Sequence, residues 1–310
     1  MAFLPTAENF NDPLSKVLEV LRPSTFMFRA IDASGDWSLR FPRLEGLRCY
    51  AVTKGSIWLH IEGEASPRLI EAGGCMILTG RKPFAMGSRM DQPCQDALGL
   101  MKMAPWGGVV TINGGGEVSG LGGFFIFKGQ QANRFLETFP SAMHLQGLEE
   151  HSRLSVAMDT IMSELRDPKP GGRLVAEQTA LSMLVLILRQ LLDRGGQTGP
   201  GWLQALADPK ISRALHALHT APATTWSLES LAREAGMSRS AFAMQFRETV
   251  GETAMSYLQR WRMSLAADLL LHTPDRIGEI AAQVGYESAS AFCTVFKKVM
   301  GRSPRTFRNE

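Results

Sequence analysis

A segment near the C-terminus occurs twice, and this duplication constrains the fold more than any other feature of the chain. The stretch LAREAGM at 231–237 aligns with IAAQVGY at 280–286. After one extra residue, Glu287, the stretch SRSAFAMQFRETVGET at 238–253 aligns with SASAFCTVFKKVMGRS at 288–303. Because self-similarity at a fixed spacing marks a repeated structural unit, the sequence predicts two copies of one small motif.

Each copy has the pattern of a short helix, a glycine and a second helix. Gly236 and Gly285 stand where a helix ends in left-handed backbone, and Ser238 and Ser288 are suited to cap the following helix. A helix, a tight turn containing glycine and a second helix form the helix-turn-helix motif, whose second helix enters the major groove of DNA. One such pattern is weak evidence, whereas two in register indicate DNA binding.

The outward face of each second helix supplies the candidate DNA contacts. At 100° per residue, Phe242, Phe246, Thr249 and Val250 face inward in the first copy, and Phe292, Phe296 and Val299 do so in the second. The predicted contacts with bases or adjoining phosphates are Ser240, Ala243, Met244, Arg247, Ser290, Cys293, Thr294 and Lys297. The predicted phosphate contacts are Arg239, Arg247, Lys297, Lys298 and Arg302. For each basic residue, the alternative is that it lies on a solvated helix surface and contacts no phosphate.

The charge distribution agrees with an anionic partner for this part of the chain. Residues 203–310 contain 13 Lys and Arg against 10 Asp and Glu, whereas residues 1–202 contain 20 of each. The stretch 293–310 has five basic residues against Glu310. A basic end on a neutral body favours binding to an anion such as nucleic acid, although a solvated basic tail gives the same pattern.

Residues 208–308 resemble the DNA-binding domain of AraC/XylS-type transcription regulators. The matching text is LAREAGMSRSAFAMQFRETVG, then YLQRWRMSLAADLLL as a joining helix, then IAAQVGYESASAFCTVFKKVMGRSPRTFR. The resemblance implies two helix-turn-helix motifs, promoter DNA as a partner, and RNA polymerase as a further one. Many members of that family carry Arg at the positions of Met244 and Thr294. The absence of arginine at these two positions favours small polar contacts and packing on thymine methyls over guanine recognition.

The N-terminal two thirds have a different pattern. Short β-rich runs between about Thr25 and Phe127 alternate with Gly, Pro, Asp and Ser, which predicts a sandwich or small barrel. Asp12–Arg22 has the pattern of an amphipathic helix, and Gln130–Arg194 is predicted to be helical. GGQTGPG at 195–201 is typical of a linker. We therefore expect an α+β protein with domains 1–200 and 201–310.

The N-terminal part resembles the cupin-type regulatory domain of one AraC subgroup, through GSIWLHIEGE and RLIEAGGCMIL. The resemblance implies binding of a small effector or formation of a homodimer. The segment 173–194 has an unusually broad apolar face, so it is predicted to be covered on two sides. Either burial within the chain or a contact between two copies satisfies this requirement.

Arg48, Trp58 and His60 are the candidate effector-binding residues, with Trp37 and Trp106 as aromatic neighbours and core packing as the alternative role. A metal-dependent cupin enzyme with an appended DNA-binding domain is an alternative function. His60 and Glu62 share one strand face, but Phe84 stands where a further ligand His is expected. Since two ligands make a poor site, we predict no metal, no cofactor and no enzymatic activity.

The four cysteines are Cys49, Cys75, Cys94 and Cys293, and their wide spacing fits a reducing compartment. A redox-responsive regulator acting through Cys49, Cys75 or Cys94 is a second alternative. The first residues lack the pattern of a signal peptide. The longest apolar run, at 180–188, is too short to span a bilayer. We therefore expect a cytoplasmic protein that does not bind a membrane.

Overall fold

The computed structural model describes residues 12–21, 23–103, 108–127, 136, 139–145, 152–193 and 201–309. These residues form two compact units. One unit contains the strands and helices between Pro23 and Asp193, and the other contains helix α1 (Pro13–Leu21) with the helices after residue 200. A sheet-rich part followed by a helical part confirms the predicted α+β class.

Two sheets build the first unit. Its strands are β1 (Pro23–Ala33), β2 (Ser38–Phe41), β3 (Leu47–Lys54), β4 (Ser56–Ile61), β5 (Arg68–Glu71), β6 (Gly74–Leu78), β7 (Phe84–Gly87), β8 (Gln95–Asp96), β9 (Val109–Ile112), β10 (Val118–Phe127) and β11 (Ala142–Leu145). One sheet has the order β11-β6-β3-β10-β1-β9 and the other has the order β5-β4-β7-β2-β8. The predicted strand-rich segment is confirmed.

The core of this unit lies between the two sheets. Tyr50 and Val52 from β3 share one buried cluster with Leu59 and Ile61 from β4. Alternation along β4 explains this placement, because successive side chains of a strand point to opposite faces. Ile57, Leu59 and Ile61 are buried, whereas Trp58 is 37% exposed.

Three helices complete the unit: α2 (Ala97–Met103), α3 (Arg153–Arg166) and α4 (Gly172–Asp193). The helical prediction for Gln130–Arg194 is wrong at β11, which pairs antiparallel with β6 and gains its hydrogen bonds there. By length and composition alone, α4 is apolar enough to cross a membrane, with 33% of its most apolar window buried. A single helix of this kind is weak evidence for a membrane span, and one face of α4, which includes Leu184 and Leu188, is buried.

The second unit is helical. After α1 it contains α5 (Trp202–Ala207), α6 (Pro209–Thr220), α7 (Leu228–Ala235), α8 (Arg239–Val250), α9 (Ala254–His272), α10 (Ile277–Gln283), α11 (Ala289–Met300) and α12 (Pro304–Arg308). Ser238 and Ser288 cap α8 and α11 as predicted, each accepting from a backbone N–H three residues later. Gly285 has a φ of 80°, and a Cβ there would lie 2.6 Å from the Ala223 carbonyl oxygen, so only glycine fits.

Helix α1 packs against α6 and α9 of this second unit. The predicted domains 1–200 and 201–310 place α1 in the same domain as the strands, because the order of segments along the sequence does not reveal this packing. The linker prediction at 195–201 falls almost entirely on residues outside those that the structure describes. The amphipathic helix expected at Asp12–Arg22 is confirmed by α1.

A buried aromatic group joins α6 to α9. His219 is 4% exposed, its ring centroid lies 4.2 Å from that of Trp261, and its Nε2 lies 2.7 Å from the Tyr257 hydroxyl. Burial lowers the pKa of His219 to about 3. The imidazole is therefore neutral and hydrogen-bonded in the folded protein at physiological pH.

Stability should fall below pH 6.5 because of His219. The unfolded chain takes up this proton near pH 6.5 and the folded chain only near pH 3, so each pH unit in between removes about 1.4 kcal/mol of unfolding free energy. We expect His219→Gln to flatten the pH dependence of urea unfolding between pH 7.5 and 5. His60→Gln, a change in a histidine of the other unit, is the control. Equal slopes for the wild type and His219→Gln would contradict this assignment.

Candidate functional site

The inward faces of the two second helices, α8 and α11, are buried as the periodicity predicts. Phe242 and Phe246 are 0% exposed, as are Phe292 and Phe296 in the second copy. Val299 is half-buried and packs against the core of the second copy, as its predicted inward position requires. Met300 is also buried, four residues after Phe296, which matches the register of Val250 in the first copy.

The free face of α8 is centred on an exposed methionine. Met244 is 62% exposed, and Ser240 and Arg247 are exposed beside it. Ala243 is half-buried at the flank. Packing this exposed apolar side chain on another apolar group, such as a base methyl, would remove apolar surface from water and is favourable.

The free face of α11 is more polar. Ser290 and Thr294 are exposed, and the Thr294 hydroxyl donates to the Ser290 carbonyl at 3.1 Å. This bond leaves the hydroxyl oxygen of Thr294 free to accept from a base edge. Cys293 is half-buried and packs against the core of the second copy, so it lies at the edge of this face.

Four cations flank the two free faces. Arg239 and Arg247 on α8 are exposed, as are Lys297 and Lys298 on α11, and within the described ranges none of the four forms an ion pair. Arg302 is different, because it is half-buried with its guanidinium carbon 5.3 Å from the centre of the Phe307 ring. Unpaired cations on an exposed helix surface are available to phosphate oxygens.

Arg262 on α9 links the loop before the first copy to the turn of the second, and no local sequence pattern marks it. Its Nε donates to the Pro222 carbonyl at 2.7 Å and its Nη2 to the Thr224 carbonyl at 2.9 Å, both in the loop before α7. Its Nη1 lies 3.4 Å from the Gly285 carbonyl in the turn of the second copy. One side chain thus ties the loop that precedes the first motif to the turn of the second.

The first unit contains a mostly apolar cavity of about 240 Å³. Its lining residues come from β1, β2, β3, β10, α2 and the loop after β2: Met27, Arg29, Ile31, Phe41, Leu44, Arg48, Tyr50, Leu98, Met101, Lys102, Gly122, Gly123 and Phe124. Its cationic residues include Arg48, which is only 8% exposed. Among the predicted effector residues, this cavity contains Arg48 alone.

The other aromatic and histidine candidates lie elsewhere. Trp58 and His60 are on the outward face of β4, and the Nε2 of His60 lies 3.1 Å from the Glu64 carbonyl oxygen. Trp37 is buried in the core at 2% exposure, and Trp106 lies outside the described residues. Successive side chains of β4 point to opposite faces, so Trp58 and His60 point away from the interior. The alternation of apolar residues in SIWLHI predicts this outward position.

Comparison with known proteins identifies both units. Residues 12–193 match a family model described as Cupin, and residues 231–310 match one described as Helix-turn-helix domain. A putative AraC-like transcription regulator of Streptomyces antibioticus is 33% identical over 96% of this chain and 98% of its own length. The chain belongs to the AraC-like transcription regulators. It is a sequence-specific DNA-binding regulator with an N-terminal ligand-sensing domain.

Further relatives of this regulator cover one or both units. The HTH-type transcriptional regulator AlkR of Acinetobacter baylyi is 26% identical over 96% of this chain and 99% of its own. Among solved structures, the DNA-binding domain of AdpA in complex with a target DNA is 29% identical. This match covers 33% of the present chain and 91% of the AdpA domain, with a TM-score of 0.31.

Neither alternative function of the regulator gains support from the geometry. His60 is bonded to a carbonyl and Glu62 pairs with Arg40 at 3.1 Å, while Phe84 stacks on Phe41. Across the described residues no group of three metal-ligating side chains is found. The Sγ atoms of Cys49 and Cys75 lie 3.3 Å apart and buried, and their hydrogen bond together with burial raises the pKa of Cys49. A raised pKa disfavours the reactive thiolate.

Arg262→Ala should destabilise the DNA-binding unit, because two or three carbonyl oxygens lose their donor. We expect the free energy of unfolding in urea to fall by about 1–3 kcal/mol. Arg262→Lys is the matched control. It keeps the charge but cannot bond to the loop before α7 and to the Gly285 turn at the same time, so its stability should lie between those of the wild type and Arg262→Ala. Unchanged stability in Arg262→Ala would show that the link between the motifs is dispensable.

Proposed function

We propose that α8 and α11 are the recognition helices of this regulator and enter the major groove of promoter DNA. The proposed base-facing residues are Ser240, Ala243, Met244, Ser290, Cys293 and Thr294. The proposed phosphate contacts are Arg239, Arg247, Lys297, Lys298 and Arg302. The observation that carries the proposal is the pair of exposed helix faces with four unpaired cations beside them.

The two free faces suit a recognition mode with few arginine–guanine pairs. Met244 offers an apolar surface for a thymine methyl, and the hydroxyls of Ser290 and Thr294 can bond several different bases. Affinity then depends strongly on phosphate contacts, which are insensitive to sequence and weaken with salt. We expect an operator with a limited number of strongly specified positions.

Arg247→Ala and Met244→Ala should separate these two kinds of contact. Loss of a phosphate contact lowers affinity similarly for all sequences and reduces the slope of log K against log salt by about 1. Met244→Ala should leave the salt slope unchanged and alter base preference at a few positions. Salt titrations on a selected operator and a sequence-selection assay measure both effects.

Arg153→Ala removes one exposed positive charge from the other unit and serves as the control for Arg247→Ala. It should leave both affinity and salt slope at the wild-type values. A change of base preference in Arg247→Ala with an unaltered salt slope would overturn its assignment to phosphate. An unchanged sequence selection in Met244→Ala would remove that residue from the base-reading set.

We also propose that a small effector occupies the cavity beside Arg48. The supporting features are its size, its apolar walls and its few polar groups, which together are typical of ligand pockets. Such an effector regulates DNA binding only if it has different affinities for two states of the protein. The cavity therefore serves as the sensing site in this proposal.

Helix α4 carries the proposed contact of a homodimer. Leu174, Leu181, Val185 and Leu192 fall within about 40° of one another around the helix, and each is half-buried or exposed in the single chain. Leu184 and Leu188 face the interior instead. The result is an apolar stripe about 27 Å long, from residue 174 to residue 192. A second copy of this chain offers the same stripe, as a two-fold contact requires.

Leu181→Glu should shift the protein from dimer to monomer, because it places a charge in the middle of this stripe. Sedimentation velocity of the full chain measures the change. Ser182→Glu, an exposed position next along the helix but off the stripe, is the control and should stay dimeric. A folded Leu181→Glu protein that remains dimeric, or a monomeric wild type, would refute the assignment.

We infer that the regulator acts in the cytoplasm, where its DNA lies, and has no enzymatic activity; the names of its relatives, which are transcription regulators, support this. RNA polymerase is the further partner that the resemblance implies.

A further inference from the structure

The lining of the cavity in the first unit has an unusual charge balance. Among the described residues that line it are three cationic side chains, Arg29, Arg48 and Lys102, and no acidic one. The other lining residues are apolar, except for Tyr50. We propose that the ligand is an apolar molecule carrying one carboxylate, and that Arg48 is its counter-ion. This inference rests on the proposed effector site and names the chemistry of its ligand.

The state of Arg48 carries the argument. Its side chain is buried, with its guanidinium carbon 4.3 Å from the centre of the Phe124 ring. Its Nη2 donates to the Glu45 carbonyl at 2.9 Å, whereas its Nε is buried and has no hydrogen-bond partner. No carboxylate in the part of the chain that the structure describes forms an ion pair with it.

A buried guanidinium without a counter-charge is costly. Removing an ion from water has an effective penalty of several kcal/mol, which an anionic partner with good geometry offsets. Burial lowers the pKa of Arg48. The ordinary pKa of a guanidinium is nevertheless so high that the group stays charged in proteins. The chain therefore holds a fixed positive charge at the cavity and leaves its partner to be supplied from outside.

The partner that fits best is a carboxylate. Arginine presents parallel N–H donors that match the two oxygens of a carboxylate. A second cation supports this choice: Arg29 is half-buried, with its Nη1 bonded to the Met101 carbonyl at 2.5 Å. Lys102 is exposed on α2. These charges disfavour an amine in the same space.

The body of the ligand must be apolar. Ile31, Phe41 and Leu44 line the cavity together with side chains from α2. Gly122 adds space, since a Cβ there would approach the Tyr50 ring to 3.2 Å. With few polar groups, the walls cannot replace the water around a sugar or a polyanion. An aliphatic or aromatic monocarboxylic acid satisfies both the walls and Arg48.

Calorimetric titration of the full-length protein with matched probes tests this inference. The probes are octanoate against 1-octanol, and benzoate against benzyl alcohol, so that each acid is compared with an uncharged molecule of similar shape. At least one acid should bind the wild type about tenfold or more tightly than its alcohol, as a charge-assisted hydrogen bond predicts. This comparison requires no variant and is independent of any effect on folding.

Arg48→Met should abolish the preference for the acid while the alcohol still binds. Arg68→Met, a change in an ion-paired residue outside the cavity, should retain the wild-type preference. Equal binding of acid and alcohol by the wild type, or a preserved preference in Arg48→Met, would overturn the carboxylate assignment but leave an apolar effector site intact. No binding of any of the four probes would overturn the proposed site as well.

Discussion

Helix α9 is the element on which the DNA-binding unit depends. Neither helix-turn-helix copy is large enough to bury a sufficient core alone, so both use the same helix as a wall. Tyr257 and Trp261, near its start, pack with His219 beside the first copy, while Met263 and Leu270 belong to the core of the second. Arg262, between these two groups, bonds to the Pro222 carbonyl in the loop before the first motif and lies 3.4 Å from the Gly285 carbonyl in the turn of the second. The relative position of the two motifs is therefore set by one rigid helix.

This arrangement explains how plain recognition faces can serve a regulator. In the proposed mode, two helices held in a fixed relation contact two short stretches of DNA together, so neither needs many strong base contacts. Met244 and Thr294 are both exposed, at positions where the AraC/XylS resemblance leads us to expect arginine. Their small, adaptable contacts are consistent with recognition in which phosphate anchoring supplies much of the affinity.

Local patterns were sufficient for the helices of the duplicated motif and for the faces of its two second helices. The positions of Phe242, Phe246, Phe292 and Phe296 followed from a period of 3.6 residues, which any helix imposes. The same reasoning missed the strand β11, which forms because β6 offers it hydrogen bonds. It also missed the packing of α1 on α6 and α9, because contacts between segments far apart in the chain produce no periodic pattern in the sequence.

The duplicated motif, the capping serines and the glycine turns are local properties, so the sequence was enough to establish the helix-turn-helix pair and the family. The cavity is not local. Arg48, Arg29 and Gly122 come from three strands, and only their pairing in one sheet brings them to one space, whereas Trp58 and His60 turn outward by alternation. Burial of the Arg48 guanidinium, from which the ligand chemistry is inferred, depends on walls that fold together from segments far apart in the chain.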